Sequence, residues 1–264
     1  MRVISIFICV FLCGSLSEAC AEDITPSFSQ KLDIQVRYDN RSNRPSREQY
    51  RLRYYPSLAL TSTWSVNSFI VTGDDFSSSH NTFGSDTTDY LYARRLYLRH
   101  ETNAGKTELG IIPTYKGRVS STGLSKDGWI TGIRHVRKLQ NNTALEIVVG
   151  QLANAEASEA FNVGEEDEYF EIEYSAKMGG RHSYEASFER MLNGTFARAE
   201  YRFRINEEDT AFVELVQRTD ESAAKIVVGT SGEFAASAFN TSYPIEYFAY
   251  YSYIDSSFGE RAEL

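Results

Sequence analysis

Between Thr195 and Arg218 apolar and charged residues alternate. Ala197, Ala199, Tyr201, Phe203 and Ile205 take every second position, and Arg198, Glu200, Arg202 and Arg204 fill the gaps. An extended chain places the first set on one face and the second on the other, whereas a helix scatters both. After Asn206, Glu207, Glu208 and Asp209 the pattern resumes, with Ala211, Val213 and Leu215 on one side and Phe212, Glu214, Val216 and Arg218 on the other, so the stretch reads as a β-hairpin. Each arm has about ten residues; at ~3.3 Å per residue and a tilt of ~40° it covers ~25 Å, the height of the apolar band of a transmembrane barrel. Alternation alone leaves the faces unassigned. Apolar-out around a polar lumen and apolar-in beneath a polar surface give the same string.

The same period recurs along the chain: Lys31 to Asp39, Gln49 to Thr61, Val66 to Gly73, Asp89 to Glu101, Thr107 to Ile112, Trp129 to Arg137, Ala144 to Leu152, Glu168 to Ala176 and Ser183 to Glu189. After the hairpin come Lys225 to Thr230 and Ile245 to Ile254. These make about thirteen candidate strands, and because bacterial single-chain barrels are even-numbered, about twelve are expected, with fourteen as the alternative. Ser222 to Tyr243 is the stretch where a miscount is expected. Long polar loops at Asp74 to Thr88, Pro113 to Lys126 and Ala153 to Asp167 alternate with short turns near Asn103, Gln140 and Met178. An all-β, up-and-down antiparallel barrel with long loops on one rim and tight turns on the other has this rhythm. No internal repeat or linker divides the chain.

Composition narrows the setting. Residues 1–21 carry Arg2, an apolar run from Val3 to Cys13 and small residues at Ala19 and Ala21, which predicts a cleaved export signal and a single domain over residues 22–264. All 3 cysteines, Cys9, Cys13 and Cys20, fall within that leader, so no disulfide is expected in the remainder. Beyond it no apolar run approaches the roughly 20 residues of a spanning helix, which leaves strands as the means of crossing a bilayer. The formal net charge of −9 disfavours a nucleic-acid partner. Aromatics reach 13%, tyrosine foremost, and tyrosine favours membrane interfaces.

Three blocks, RLRYYPSLALTSTWSVNSFIVTGDDF, YARRLYLRHETNAGKTELGIIP and DGWITGIRHVRKL, resemble the way porin-like and alginate-export-like barrels write an Arg-bearing strand, a TGD loop and a strand ending at a G-x-x-P corner. With the leader and the alternating strands, the chain is similar to a Gram-negative outer-membrane β-barrel of the porin type. The resemblance implies an outer-membrane location, lipid and lipopolysaccharide as surroundings, and passive diffusion of small polar or charged solutes. One departure is the ending FGERAEL, where such barrels usually close on an aromatic residue; the strand Ile245 to Ile254 would have to serve instead.

No catalytic or cofactor motif is present. The 4 histidines, His80, His100, His135 and His182, lack metal-ligand spacing, so neither metal nor cofactor is expected. Charges on alternating positions are the better candidates. With apolar residues towards lipid, Arg37, Arg51, Arg53, Arg95 and Arg99 would form one wall of the lumen and Glu171, Glu173, Glu185 and Glu189 another, joined by Arg198 and Arg202 from the hairpin. Opposed walls orient polar solutes; the same charges, paired off, would instead fill and close the lumen. The acidic GEEDE segment, Gly164 to Glu168, and Asp74-Asp75 read as solvated loop faces. Two other readings stay open: a secreted soluble all-β binding protein, and a closed structural or lipase-type barrel.

Overall fold

The computed structural model describes residues 26–41, 44–74, 79–84, 90–114, 127–152, 156–162, 168–235 and 244–259. The strands are β1 (Ser27–Arg41), β2 (Arg44–Ala59), β3 (Trp64–Thr72), β4 (Asn81–Thr82), β5 (Leu91–Thr102), β6 (Gly105–Pro113) and β7 (Trp129–Lys138). They continue with β8 (Thr143–Gln151), β9 (Tyr169–Met178), β10 (His182–Met191), β11 (Gly194–Arg204), β12 (Thr210–Arg218), β13 (Ala223–Ala235) and β14 (Pro244–Ile254). Together they make one 14-stranded sheet in which each strand pairs antiparallel with the next in sequence, apart from β4. The expected up-and-down architecture is therefore present, with the larger of the two strand counts.

Every alternating segment read from the sequence corresponds to a strand of this meander. The additional strand is β4, which pairs with β2 at Gln49 and Tyr50 while β3 pairs with β2 from Arg53 to Ala59. β3 and β4 thus occupy the same lane, and the miscount falls in the first long loop instead of at Ser222 to Tyr243. In that latter stretch β13 runs unbroken to Ala235, and 236–243 lie outside the described residues. So do the leader 1–21, Asp75 and residues 164–167 of the GEEDE segment.

Residue types explain the turns. At Asn141-Asn142 and Leu192-Asn193 both central residues have positive φ, between 49° and 59°, the conformation whose twist matches that of the flanking strands. Asparagine tolerates it well, and leucine at 192 is held there by the flanking ladder between β10 and β11. Residues 60–63, 103–104, 139–142, 179–181 and 205–209 connect strands at one end and the long connections 73–90, 114–128 and 152–168 at the other, as expected; the tight turns 192–193 and 219–222 share the second end, so the difference between the rims fades after β9.

The burial pattern resolves the ambiguity of alternation, and it does so against the usual rule for soluble proteins. Along β9, Glu171 is 0% exposed and Glu173 6%, while Ile172 between them is 38% exposed. Along β11 and β12, Arg198, Glu200 and Glu214 are buried and Tyr201, Val213 and Leu215 are exposed. Charges face the inside and apolar side chains face outward, as a sheet surrounded by hydrocarbon requires. One part of the interior is nonetheless apolar. Ile112, Trp129, Ile130, Val148, Leu152, Tyr169, Met191, Phe196, Val216 and Phe258 form a buried cluster, and each sits at or near the long-loop end of its strand.

Candidate solute-lining site

On β1 and β2 the inward rows are set by cross-strand register. Arg37 faces Gln49, Gln35 faces Arg51 and Asp33 faces Arg53. Arg37 Nε donates to Gln49 Oε1 at 2.9 Å, and Arg51 Nη2 lies 3.8 Å from Asp33 Oδ1. Arg53 Nη2 donates to Asp127 Oδ2 at 2.6 Å, so Asp127, just before β7, reaches inward to β2. Arg95 on β5 donates through Nε to the Gly128 carbonyl at 2.8 Å, with its guanidinium 4.6 Å from the Phe69 ring centroid. The sequence-expected cationic group Arg37, Arg51, Arg53 and Arg95 is thus brought together, with Asp127 as a shared acidic insert.

Arg94, absent from the expectation, is fully buried beside Arg95 and donates to the Thr72 carbonyl at 3.3 Å. Strict alternation would send one of two consecutive arginines outward. A register shift between Phe69 and Ile70, where β3 pairs with β5, admits an extra residue and turns both inward. His80, also unexpected here, contacts Gln35 Oε1 at 3.1 Å.

Arg99 does not join that group. Its Nη2 pairs with Glu108 Oε1 on β6 at 2.7 Å, and Glu108 Oε2 accepts from Arg134 Nη1 on β7 at 2.9 Å. Arg134 Nε in turn lies 2.9 Å from Glu146 Oε1 on β8. A ladder of alternating sign therefore crosses from β5 to β8, where opposite charges on adjacent strands attract. Glu108, Arg134 and Glu146 were not singled out in the sequence, although all three stand at the polar positions of their alternating segments.

The acidic group is centred on Arg198. Its Nη1 lies 3.5 Å from Glu173, its Nη2 lies 3.4 Å from Glu185 and 2.6 Å from Glu200, and its Nε pairs with Glu214. Arg202 Nε also pairs with Glu200. Glu171 accepts from the Tyr169 hydroxyl, and Glu189 accepts from Ser187 Oγ at 3.0 Å. Sequence reasoning found Glu173, Glu185 and Arg198 but missed Glu200 and Glu214, whose signal was present in the polar face of the hairpin. Register adds an electrostatic feature: Glu146 stands opposite Glu173, Glu171 opposite Glu189, Glu185 opposite Glu200, and Glu200 opposite Glu214. Like charges directly across a ladder are destabilising, so this stretch holds an excess of negative charge against its own folding tendency.

Described residues of two connections turn inward at the long-loop end. Asp127 reaches Arg53, and the 3-10 turn Ala157–Glu159 donates the Ala157 amide to the Asp74 carbonyl at 2.8 Å, burying Ala157 and Ala160. The charged ladder lies nearer mid-height, between this apolar end and the rim of short turns. Such an interior can bind and orient small charged groups; no nucleophile, base and oxyanion constellation is assembled among the described residues.

No protein-family model and no curated protein matches the chain. Among solved structures, a triple mutant of the Rhodopseudomonas blastica porin is similar, with a TM-score of 0.57 and 11% identity over 88% of this chain and 85% of that one. A second mutant form of the same porin gives 0.57 at 12% identity, covering 89% and 86%. Similarity at that level is one of fold: the chain has the antiparallel up-and-down sheet of an outer-membrane porin.

Proposed function

We propose that the protein is a channel of the bacterial outer membrane through which small polar and charged solutes diffuse passively. The observation that carries this reading is the inverted burial, with carboxylates and guanidinium groups inside and a largely apolar face outside. A soluble binding protein would have the opposite arrangement, since an outward row such as Leu32, Ile34, Val36 and Tyr38 exposes apolar area that water penalises. The porin-like fold supports the same assignment, with lipid and lipopolysaccharide as the surroundings of the outward face. Within the lumen, Arg37, Arg51, Arg53 and Arg95 on one side and Glu171, Glu173, Glu185 and Glu189 on another supply a transverse field, and solutes exchange hydration for side-chain contacts along it. Arg198 and Arg202 hold the acidic side in place, and Arg99 pairs with Glu108 in the separate ladder from β5 to β8. No catalytic step is assigned to any of these groups.

A second reading has its own observation. The buried cluster around Trp129, Tyr169 and Phe196 fills part of the interior, which is what a closed structural barrel would contain. Planar-bilayer recording separates the two. Discrete conductance steps with a charge-dependent reversal potential under a salt gradient are expected of the channel. Insertion confirmed by protection from protease, without any conductance, would replace the channel reading with the closed one.

A further inference from the structure

Arg51 and Arg53 follow one another in the inward row of β2, ~7 Å apart at the repeat of an extended chain. Arg53 engages Asp127 through Nη2, at 2.6 Å from both carboxylate oxygens, while its Nε is buried with no acceptor among the described residues. Arg51 Nη2 lies 3.8 Å from Asp33, beyond hydrogen-bond reach, and its Nε is likewise buried with no acceptor among them. Nε and one Nη make up the edge of a guanidinium that grips two oxygens of one anion. On both arginines that edge holds an unused donor.

The surroundings add charge without cancelling it. Arg37 Nε donates to Gln49 Oε1 at 2.9 Å, and Gln49 Nε2 donates to Thr82 Oγ1 at 3.1 Å, so a neutral amide fixes this third guanidinium. Arg94 and Arg95 on β5 donate to the backbone carbonyls of Thr72 and Gly128. His80 reports the sign of the resulting field. Gln49 pairs with Thr82 and Tyr50 with Asn81, and one further step in that register sets His80 level with Arg51. Its ring contacts Oε1 of Gln35, which faces Arg51 from β1, at 3.1 Å. In the connection after β3, burial first and then Arg37, Arg51 and Arg53 push the His80 imidazole down to about 4, against the weaker opposing pull of Asp127. A place that repels a proton attracts an anion.

We propose that Arg37, Arg51 and Arg53 form an oxyanion subsite in the lumen, which takes the phosphate or carboxylate group of a small solute in preference to a halide. Two oxygens of one group meet the open guanidinium edges, whereas a spherical halide satisfies only one donor direction at a time. The proposal rests on the channel reading, which gives the solute its way in.

Equilibrium dialysis of radiolabelled inorganic phosphate against the refolded protein, in chloride buffer, tests it. Saturable binding is expected, displaced by unlabelled phosphate and not by added chloride. Displacement by acetate as well extends the subsite to carboxylate solutes, and resistance to acetate restricts it to phosphate-bearing ones. Arg51→Lys keeps the charge but loses the two-pronged edge, so phosphate affinity should fall by about tenfold or more. Arg190→Gln removes an exposed cation from β10, away from the subsite, and should leave the affinity unchanged. Wild-type affinity in Arg51→Lys, an equal loss in Arg190→Gln, displacement by chloride, or wild-type protein without saturable binding would each overturn the subsite. If Arg51→Lys loses heat-modifiable gel mobility, Arg37→Lys takes its place with the same expectation. Bilayer recording keeps the two readings apart: conductance without saturable binding sustains the channel and overturns the subsite, whereas saturable binding without conductance defeats the channel reading alone.

Discussion

Arg53 on β2 and Asp127, just before β7, meet at 2.6 Å although their strands are not neighbours in the sheet. The contact holds Asp127 against the cationic group and lowers its net positive charge. Asp127→Asn is expected to release it, costing about 2 kcal/mol for the lost charge-assisted bond. The same change leaves Arg53 uncompensated, so the reversal potential of the reconstituted protein should move towards anion selectivity. A variant with unchanged selectivity would remove Arg53 from the solute path.

Arg198 is the common cation of Glu173, Glu185, Glu200 and Glu214. Arg198→Met leaves four buried carboxylates facing each other, and a loss of at least ~3 kcal/mol is expected at neutral pH. Protonation relieves that repulsion, so the variant should recover part of its stability as pH is lowered towards the carboxylate range, while the wild type does not. Urea unfolding at neutral and acidic pH checks this; parallel pH profiles would show that Arg198 acts only through packing.

Ile172 projects outward from β9 between two buried glutamates. Placed against lipid, Ile172→Arg should cost about 2 to 4 kcal/mol in refolding titrations with lipid vesicles. Exchanging the outward Val213 for leucine should be nearly neutral. If the arginine is tolerated as well as the leucine, that face meets water.

Asp255, in the turn after β14, accepts the Ala224 amide at 2.7 Å and the Tyr253 hydroxyl at 2.8 Å. These bonds, the backbone amide first, hold its carboxyl below the ordinary value of 3.8. A depressed carboxylate contributes stability that is present above pH 3.8 and is lost as pH falls through the lower folded value. Exchange of the Ala224 amide should therefore accelerate below that pH, and Asp255→Ala, which has no acceptor, should show fast exchange at every pH. Protection independent of pH in the wild type would count against the bond.

The sequence made the strands legible because each carries a run of period-two alternation long enough to exclude a helix. β4 escaped notice: two residues have no period. Alternation could not say which face of Glu171-Ile172-Glu173 is buried, since its two halves are interchangeable until neighbours are known. The polar set was likewise visible, but its pairing was not. Arg99 meets Glu108 through register between β5 and β6, Asp127 reaches Arg53 through a loop with no period, and Arg94 turns inward through a register shift that no local pattern announces.

The arrangement around Arg198 also orders the substitutions this interior can accept. With the guanidinium in place, any one of Glu173, Glu185, Glu200 or Glu214 can become glutamine while the remaining carboxylates stay paired with Arg198, relieving like-charge opposition on the way. The guanidinium itself can be replaced only after most of them have gone. Drift in this part of the lumen is therefore directional, with acidic positions free to vary first and position 198 last.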